Sequence, residues 1–267
     1  MSQSFVQYLE NKNLSKNTIN SYTFSLGQFR RLYHNKFNRK TLRQYKMHLL
    51  ENYSAKTINL RIRGVNCYLE FIRKEKFKLS TVKVQNKNFL ENVISEADYE
   101  YFKKKLKQNN VFWYFVVRFL AATGARVSEL IQIKAEHVQL GSLDMYSKGG
   151  KVRRLYIPIK LQKETLKWLE MRQIRSGFVF LNRFGARITP RGISSQLKQL
   201  ALKYGINSKV VYPHSFRHRF AKNFLAKYND IALLADLMGH ESIETTRIYL
   251  RKTSMEQRQI IDSVIDW

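Results

Sequence analysis

Apolar residues recur at helical spacing through about the first eighty residues of the chain. Helices are predicted to begin near Phe5, after Ser15 or Asn17, near Thr41 and after Ser54, where short polar turns interrupt the pattern. The apolar stripe of the second helix is formed by Ile19, Tyr22, Leu26, Phe29 and Leu32. The pattern therefore predicts a four-helix domain over residues 1–80.

The helical period breaks in a basic and polar stretch from about residue 73 to residue 93. We interpret residues 81–93 as a linker and residues 94–267 as a second domain. That domain is predicted to open with a helix whose start is marked by Ser95 and Asp98. A strongly apolar helix from Val111 to Leu120 follows, and we expect it to lie at the centre of the second domain.

Alternating side chains indicate one small sheet in the second domain. Residues 141–147 and 152–158 alternate and are joined by a Lys-Gly-Gly-Lys turn, which is typical of a β-hairpin. Further helices are predicted over residues 161–175 and from Thr189 towards Tyr204. The predicted fold class is mainly α with one small β-hairpin, arranged as two domains.

Three short helices are predicted near the C-terminal end of the chain. The first covers residues 214–225, with Pro213 in its first turn. Asp230 can cap the second, Gly239 can stop it, and Ser242 can cap the third. The helix ends deliver four polar side chains, namely His214, Arg217, His240 and Tyr249.

The charge of the chain narrows the class of partner. Its 48 lysines and arginines against 20 acidic residues give a formal net charge of +28, with a pI near 10.2. A charge of this size implies a polyanionic partner, with nucleic acid as the leading candidate and a membrane surface as the alternative. No apolar run reaches the roughly 18 to 20 residues of a spanning helix, and no secretory signal is visible. The single cysteine, Cys67, excludes an internal disulfide and fits a reducing cytoplasm.

The four polar side chains suit chemistry on a phosphodiester. A phenol has an ordinary pKa of about 10, so a nucleophilic tyrosine needs a proton acceptor and cations that hold the electrophile. Arginine and histidine donate charge-assisted hydrogen bonds to phosphoryl oxygens. His214 and His218 have the i, i+4 spacing of some zinc sites, but Ser215 stands where the zinc-protease pattern has Glu. We therefore expect neither a metal nor another cofactor.

Several segments together resemble the tyrosine recombinases, the family of integrases and Xer-like site-specific recombinases. The sequence His214-Ser-Phe-Arg217-His, then Leu-Met-Gly-His240 and then Tyr249 resembles the second conserved box of that family. Upstream, Ala122-Thr-Gly-Ala-Arg126-Val-Ser-Glu-Leu resembles the first box. Between them, the segment from Ser147 to Pro158 resembles the hairpin that carries the active-site lysine of the family.

The resemblance implies a SAM-like core-binding domain followed by a catalytic domain. It implies that Tyr249 attacks a phosphate to form a 3′-phosphotyrosyl bond, while three side chains hold the phosphoryl oxygens: Arg126, Arg217 and His240. It assigns Lys148 to the leaving 5′-oxygen, with Lys151 as the rival, and gives His214 a part in proton transfer. Glu129 is interpreted either as an orienting partner of Arg126 or as an ordinary structural or surface acid.

Basic and polar residues outside these boxes are candidates for DNA contact, and a solvated charged face is the alternative for each. The fourth helix offers Lys56, Asn59, Arg61 and Arg63. By the resemblance, Lys83 and Lys87 of the linker would contact the DNA backbone. The helix after Thr189 offers Arg191, Ser194 and Lys198.

The resemblance also suggests an assembly. Its expected partner is double-stranded DNA with paired inverted-repeat core sites, bound in the cytoplasm at the nucleoid. A free monomer would form a tetramer on DNA by exchanging the apolar tail, residues 251–267, although packing of the tail within one chain is equally open. Integration or excision of a mobile element and DNA inversion are the expected roles, with Xer-type dimer resolution, a type IB topoisomerase-like enzyme and a non-catalytic regulator as alternatives.

Overall fold

The computed structural model describes residues 4–84, 92–146, 152–240, 242–250, 258 and 261–265. The chain divides into two compact units, Met1–Asn86 and Lys87–Trp267. Over the described ranges both consist of helices, apart from one two-stranded antiparallel sheet. This confirms the predicted fold class. None of the described helices combines the length and apolar character needed to cross a membrane.

The first unit contains four helices with polar residues at their starts. Its helices are α1 (Phe5–Asn11), α2 (Lys16–Tyr33), α3 (Arg39–Asn52) and α4 (Ala55–Phe71). Ser15 caps α2 by accepting a hydrogen bond from the Thr18 backbone N–H, and Asn38 caps α3 in the same way through Thr41. A short 3-10 helix, Glu75–Phe77, follows α4. The third helix thus starts two residues before the predicted position.

Aromatic rings fill the centre of the first unit. Phe29 is fully buried, stacks on Phe37 with centroids 4.6 Å apart and meets Tyr45 edge-on at 5.1 Å. Leu26 belongs to this core as predicted, whereas Leu32 is 43% exposed. The predicted stripe was therefore wrong at Leu32, because the last turn of α2 packs on the core through Tyr33 instead.

Two asparagines of α4 bind the extended chain that follows it. The Asn59 amide donates to the carbonyl of Val82 at 2.9 Å and accepts from its N–H at 2.8 Å. Asn66, two turns later, makes the same pair of bonds with Leu79 at 2.8 and 2.9 Å. Because Asn59 is buried and is bonded to both backbone groups of Val82, its side chain holds this segment in place. Contact of Asn59 with DNA stays a prediction.

The second unit is built around a buried apolar helix. Its helices are α5 (Glu96–Asn109), α6 (Val111–Thr123), α7 (Val127–Leu130), α8 (Ala135–Leu140), α9 (Ile159–Met171), α10 (Pro190–Lys203), α11 (Pro213–Lys227), α12 (Ile231–Met238) and α13 (Glu244–Arg247). Helix α6 packs against α5, α7, α9 and α11. Phe115 of α6 stacks on Trp168 with centroids 4.5 Å apart, and Phe119 meets Phe180 edge-on at 5.5 Å. Helix α6 thus lies at the centre of the second unit, as predicted. Its packing against α11 brings its C-terminal end close to that helix.

The sheet pairs β1 (Ser142–Tyr146) with β2 (Val152–Tyr156) in antiparallel register. The inward face of β2 carries Arg153 and Leu155, while Arg154 lies on the exposed face and forms an ion pair with Asp144. The predicted strands are therefore present. The turn that joins them, with Lys148 and Lys151, lies outside the described residues.

Candidate active site

The site begins where α6 ends and α7 starts. Gly124 ends α6 with a positive φ of 62°, and a Cβ there would collide with the ring of Phe220, so glycine is required on both counts. Arg126 is the residue before α7, and its backbone N–H donates to the Glu129 carboxylate at 2.7 Å. Its guanidinium donates to the same carboxylate at 2.7 Å and to the carbonyl of Gly239 at 2.8 Å. The side chain of Arg126 is held by these bonds yet remains 38% exposed.

Glu129 is a buried acceptor shared by the arginines of the site. Besides Arg126, it accepts a 2.6 Å hydrogen bond from Arg153 and lies 4.0 Å from Arg217. Burial alone would raise the pKa of Glu129, but the charge of Arg153 and the hydrogen bonds from Arg126 lower that pKa below its ordinary value. Glu129 is therefore ionised, and the orienting contact with Arg126 considered from the sequence is present.

Arg153 was not singled out from the sequence. Its Nε donates to the carbonyl of Leu237 at 2.7 Å, which ties β2 to the end of α12. Only 7% of Arg153 is exposed. The signal that could have found it is the alternation of β2, because a residue two positions before the buried Leu155 must point inward as well.

Arg217 and His240 lie against each other in the centre of the site. Arg217 is buried, and its guanidinium donates to the carbonyls of Gly124 and Met238, both at 2.6 Å. Its Nη2 is 3.1 Å from Nε2 of His240. Burial and the neighbouring charges of Arg126 and Arg153 lower the pKa of Arg217 to about 10, so Arg217 remains a cation at neutral pH.

The proton of His240 can be placed from its two contacts. A guanidinium can only donate, so Nε2 of His240 accepts from Arg217 and the ring proton is on Nδ1. Nδ1 then donates to the Thr246 hydroxyl at 2.6 Å. Burial and the charges of Arg217 and Arg126 lower the pKa of His240 to about 4, in agreement with a neutral ring. Thr246, fully buried in α13, is thus a further residue that the sequence had not marked.

Tyr249 lies just past α13 with its ring buried. It is 7% exposed and packs in an apolar cluster with Ala221, Leu225, Leu234 and Met238. Burial raises the pKa of Tyr249 to about 12, although the charges of Arg217 and Arg126 act in the opposite direction. The phenol is therefore protonated at neutral pH.

The hydroxyl of Tyr249 contacts His218 of α11. The Tyr249 oxygen is 2.9 Å from Nδ1 of His218, and the ring centroids are 5.5 Å apart. Burial, with the charges of His214 and Arg217, lowers the pKa of His218 to about 4. The sequence had raised His218 only as a possible metal ligand with His214. Among the described residues, no group of three or more His, Cys, Asp or Glu side chains could hold a metal.

His214, the histidine assigned to proton transfer from the sequence, lies one turn before His218. Its ring centroid is 6.3 Å from that of His218, and the residue is exposed. Burial of part of the ring and the charges of Arg217 and Arg126 lower the pKa of His214. Since the described part of the chain supplies no hydrogen-bond partner to its imidazole, His214 is available to a substrate.

A cavity of about 1030 Å³ opens beside the arginines. Its lining includes Arg126, Arg153, His240 and, on the sheet, Tyr146 and Val152. Those two sheet residues are the last described ones before and the first after the segment with Lys148 and Lys151. The strands that bracket both lysines therefore end at this cavity.

The residues outside the cavity that are predicted to contact DNA differ in their exposure to solvent. Those exposed to solvent are Lys56, Arg63, Lys83, Arg191 and Lys198. Arg61 lies over the ring of Phe24 at 4.3 Å, and the Ser194 hydroxyl donates to the carbonyl of Pro190 at 3.0 Å. Lys87 lies outside the described residues. Contact of these residues with DNA stays a prediction.

The fold and the site together are typical of enzymes that transfer a DNA phosphodiester to a tyrosine. Residues 86–256 match the model of the phage integrase family. The tyrosine recombinase XerA of Pyrococcus furiosus is 30% identical to this chain over 268 residues, which cover 97% of this chain and 92% of XerA. The TnP I resolvase of Bacillus thuringiensis is 26% identical, with 96% of each chain covered. The chain belongs to the phage integrase family, the tyrosine recombinases, and is by that membership a site-specific DNA recombinase.

A solved structure supports the same fold. The XerH site-specific recombinase, crystallised with a palindromic difH substrate in a post-cleavage complex, matches with a TM-score of 0.70. The match covers 98% of this chain and 84% of XerH at 21% sequence identity. At that identity the likeness speaks for the fold of the chain alone.

Proposed function

We propose that Tyr249 cuts and rejoins duplex DNA. Its oxygen attacks a scissile phosphate, forms a 3′-phosphotyrosyl bond and releases a 5′-hydroxyl. Because the covalent bond retains the energy of the phosphodiester, the same site can rejoin strands without ATP or a metal. The observation that carries this proposal is that α11 brings Arg217, His240 and Tyr249 together. Arg217 lies 3.1 Å from His240, and the next residue of α11, His218, contacts the Tyr249 hydroxyl.

The phosphoryl oxygens would be held by Arg126, Arg217 and His240. Carbonyls at the ends of α6 and α12 fix both guanidinium groups, so the donors need little rearrangement when charge builds up on the phosphate. The pKa of Arg217 stays well above neutrality, and a bound phosphate would offset the repulsion between Arg217 and Arg126. Because the donors are already in position, they stabilise the pentavalent transition state at little cost in rearrangement.

Two further groups complete the proposed chemistry. Lys148 would protonate the leaving 5′-oxygen, with Lys151 as the alternative, because the strands that bracket the two lysines end at the cavity beside Arg126. His214 would assist proton transfer from the tyrosine or the departing oxygen, since its exposed imidazole is available to a substrate.

The DNA partner is proposed to be a pair of inverted-repeat core sites bound by four protomers, with strands exchanged through a Holliday junction. The formal charge of +28 supports extensive phosphate contact. Further contacts would come from the first unit, from the segment after it and from α10. The residues are Lys56, Asn59, Arg61, Arg63, Lys83, Lys87, Arg191, Ser194 and Lys198. The segments 1–80, 81–93 and 94–267 would serve as core-binding domain, linker and catalytic domain.

Two biological roles are supported by particular relatives. Integration or excision of a mobile element, or DNA inversion, is the role we propose first, and the similarity to a resolvase supports a mobile-element setting. Resolution of chromosome dimers is the second, supported by the similarity to XerA over 97% of the chain. A site recovered from an element end favours the first role, and a single site on the source chromosome favours the second.

The test is covalent trapping on DNA. Wild-type protein and Tyr249→Phe are incubated with a pool of nicked duplexes cut from the source genome, and the DNA retained after denaturation is sequenced. An adduct with wild type alone is the expected result and delivers the target site. If both proteins bind the DNA tightly, the bound site is confirmed to be in the pool and neither protein forms an adduct, the cutting and rejoining activity is overturned. Exchange between two recovered sites then tests recombination itself.

A further inference from the structure

Two histidines lie one turn apart on α11, and they differ in their contact with the Tyr249 hydroxyl. His218 is partly buried and its Nδ1 is 2.9 Å from the Tyr249 oxygen. His214 is exposed, and its ring centroid lies 6.3 Å from that of His218. A group that removes a proton must lie within hydrogen-bond reach of the atom that carries it. His218 meets that condition at the nucleophilic atom.

The protonation state of the pair suits a transfer from tyrosine to histidine. His218 is neutral at neutral pH because burial and the charges of His214 and Arg217 lower its pKa to about 4. Tyr249 is protonated because burial raises its pKa to about 12. With the ring proton of His218 on Nε2, Nδ1 accepts the hydrogen bond of the phenol. The donor and the acceptor are thus both in the form that precedes the transfer.

We propose that His218 is the base that receives the proton of the Tyr249 hydroxyl while the Tyr249 oxygen attacks the phosphate. This inference rests on the proposed function. The oxygen–phosphorus bond forms as the O–H bond breaks, and the proton passes to Nδ1 of His218. The bond from phosphorus to the 5′-oxygen breaks, and that oxygen leaves as a hydroxyl with a proton from the acid for which Lys148 is proposed. In the rejoining step both protons return by the same route.

Binding of DNA would strengthen the base. Positive charge on Arg217, close to His218, disfavours a second cation there. A phosphate held by Arg217 and Arg126 brings negative charge that compensates this repulsion, so the imidazolium formed during attack becomes easier to accommodate. The base is therefore weak in the free protein and stronger when a scissile phosphate is in place.

The asparagine variant separates a base from a hydrogen-bond partner. In His218→Asn, an amide atom replaces Nδ1 at the same distance from the backbone, so the contact with Tyr249 can persist while the basic nitrogen is lost. The recovered target site is prepared as a nicked substrate that traps the covalent adduct, and single-turnover adduct formation is followed. We expect His218→Asn to be slower than wild type by a factor of about 10² to 10⁴, with unchanged DNA affinity. His34→Asn, at an exposed histidine of the first unit that has no part in the proposed chemistry, is the matched control and is expected to keep the wild-type rate.

A 5′-bridging phosphorothiolate substrate tests whether His218 acts on the nucleophile or on the leaving group. The sulfur of this substrate leaves without needing an acid. Lys148→Ala is expected to regain activity on this substrate, whereas His218→Asn is expected to stay slow, because its defect concerns the nucleophile. Added imidazole is expected to restore adduct formation by His218→Gly. Wild-type rates for His218→Asn, or recovery of this variant on the phosphorothiolate, would overturn the assignment. Absence of an adduct with wild type would instead overturn the proposed function.

Discussion

The guanidinium of Arg153 lies 2.6 Å from the carboxylate of Glu129, and both side chains are more than nine-tenths buried. Glu129 in turn holds the backbone and the side chain of Arg126. The sheet is thereby connected to a proposed phosphate ligand through a single carboxylate. The buried Arg153 can therefore influence the position of Arg126.

Arg153→Met is expected to destabilise the second unit by about 3–5 kcal/mol, because it leaves the buried Glu129 charge without one of its cations. Its neighbour Arg154 forms an exposed ion pair with Asp144 on the opposite face of the same strand, so Arg154→Met is the matched control and is expected to change little. Urea unfolding followed by tryptophan fluorescence measures the difference selectively, since Trp113, Trp168 and Trp267 all belong to the second unit. Equal stability of the two variants would contradict a buried network.

The hydrogen bond between His240 and Thr246 is expected to matter for rate rather than for binding. Thr246→Val keeps the shape of the side chain but removes the hydroxyl that accepts from Nδ1 of His240. Loss of a buried hydrogen bond of this kind costs about 1–3 kcal/mol, which corresponds to cleavage slower by a factor of roughly 5 to 150.

Single-turnover cleavage and a DNA-binding titration measure the two effects of Thr246→Val separately. Thr246→Ser restores the hydroxyl and is expected to recover most of the rate. A wild-type cleavage rate for Thr246→Val would show that the hydrogen bond between His240 and the Thr246 hydroxyl does not contribute to the rate.

Stability of the second unit is expected to fall with pH below about 6.5. In the folded chain the pKa values of His218 and His240 are near 4, whereas in the unfolded chain they return to the ordinary value of about 6.5. Between these values the unfolded chain binds more protons, so acid favours unfolding, with a limiting slope of about 1.4 kcal/mol per pH unit for each histidine.

Urea titrations at pH 7, 6 and 5 with tryptophan fluorescence measure this dependence. His218→Asn is expected to reduce the slope, while replacement of the exposed His34 in the first unit by Asn is expected to leave it unchanged. An unaltered slope in His218→Asn would mean that His218 titrates alike in the folded and unfolded chain.

Asn59→Ala is expected to release the extended segment that follows α4. The change removes both hydrogen bonds to Val82 and should lower the stability of the first unit by about 1–3 kcal/mol. Faster cleavage by trypsin at lysines between residues 74 and 83 measures the release. Lys56→Ala, on the same helix but exposed, is expected to weaken DNA binding without faster proteolysis. If Asn59→Ala weakened DNA binding and left the proteolysis unchanged, Asn59 would be a DNA contact after all.

The predicted fold came from short-range regularities. Helical spacing and capping residues located α2 and α4, and alternation located both strands, because these patterns depend on hydrogen bonds and burial within a few positions along the chain. Leu32 shows the limit of that reasoning. Its spacing matches the stripe, but Leu32 is exposed and the adjacent Tyr33 packs on the core in its place.

The family boxes, the mainly helical fold, the hairpin strands and the excess of positive charge can all be recognised from the order of the residues. The contacts between polar side chains depend on how the helices and strands pack. The contact between His218 and Tyr249 joins residues 31 positions apart, Arg153 reaches Glu129 across 24, and Asn59 reaches Val82 across 23. The physical reason is that such pairs, and the pKa shifts that come with them, arise from burial between packed elements, which no local pattern of hydrophobic and polar residues specifies.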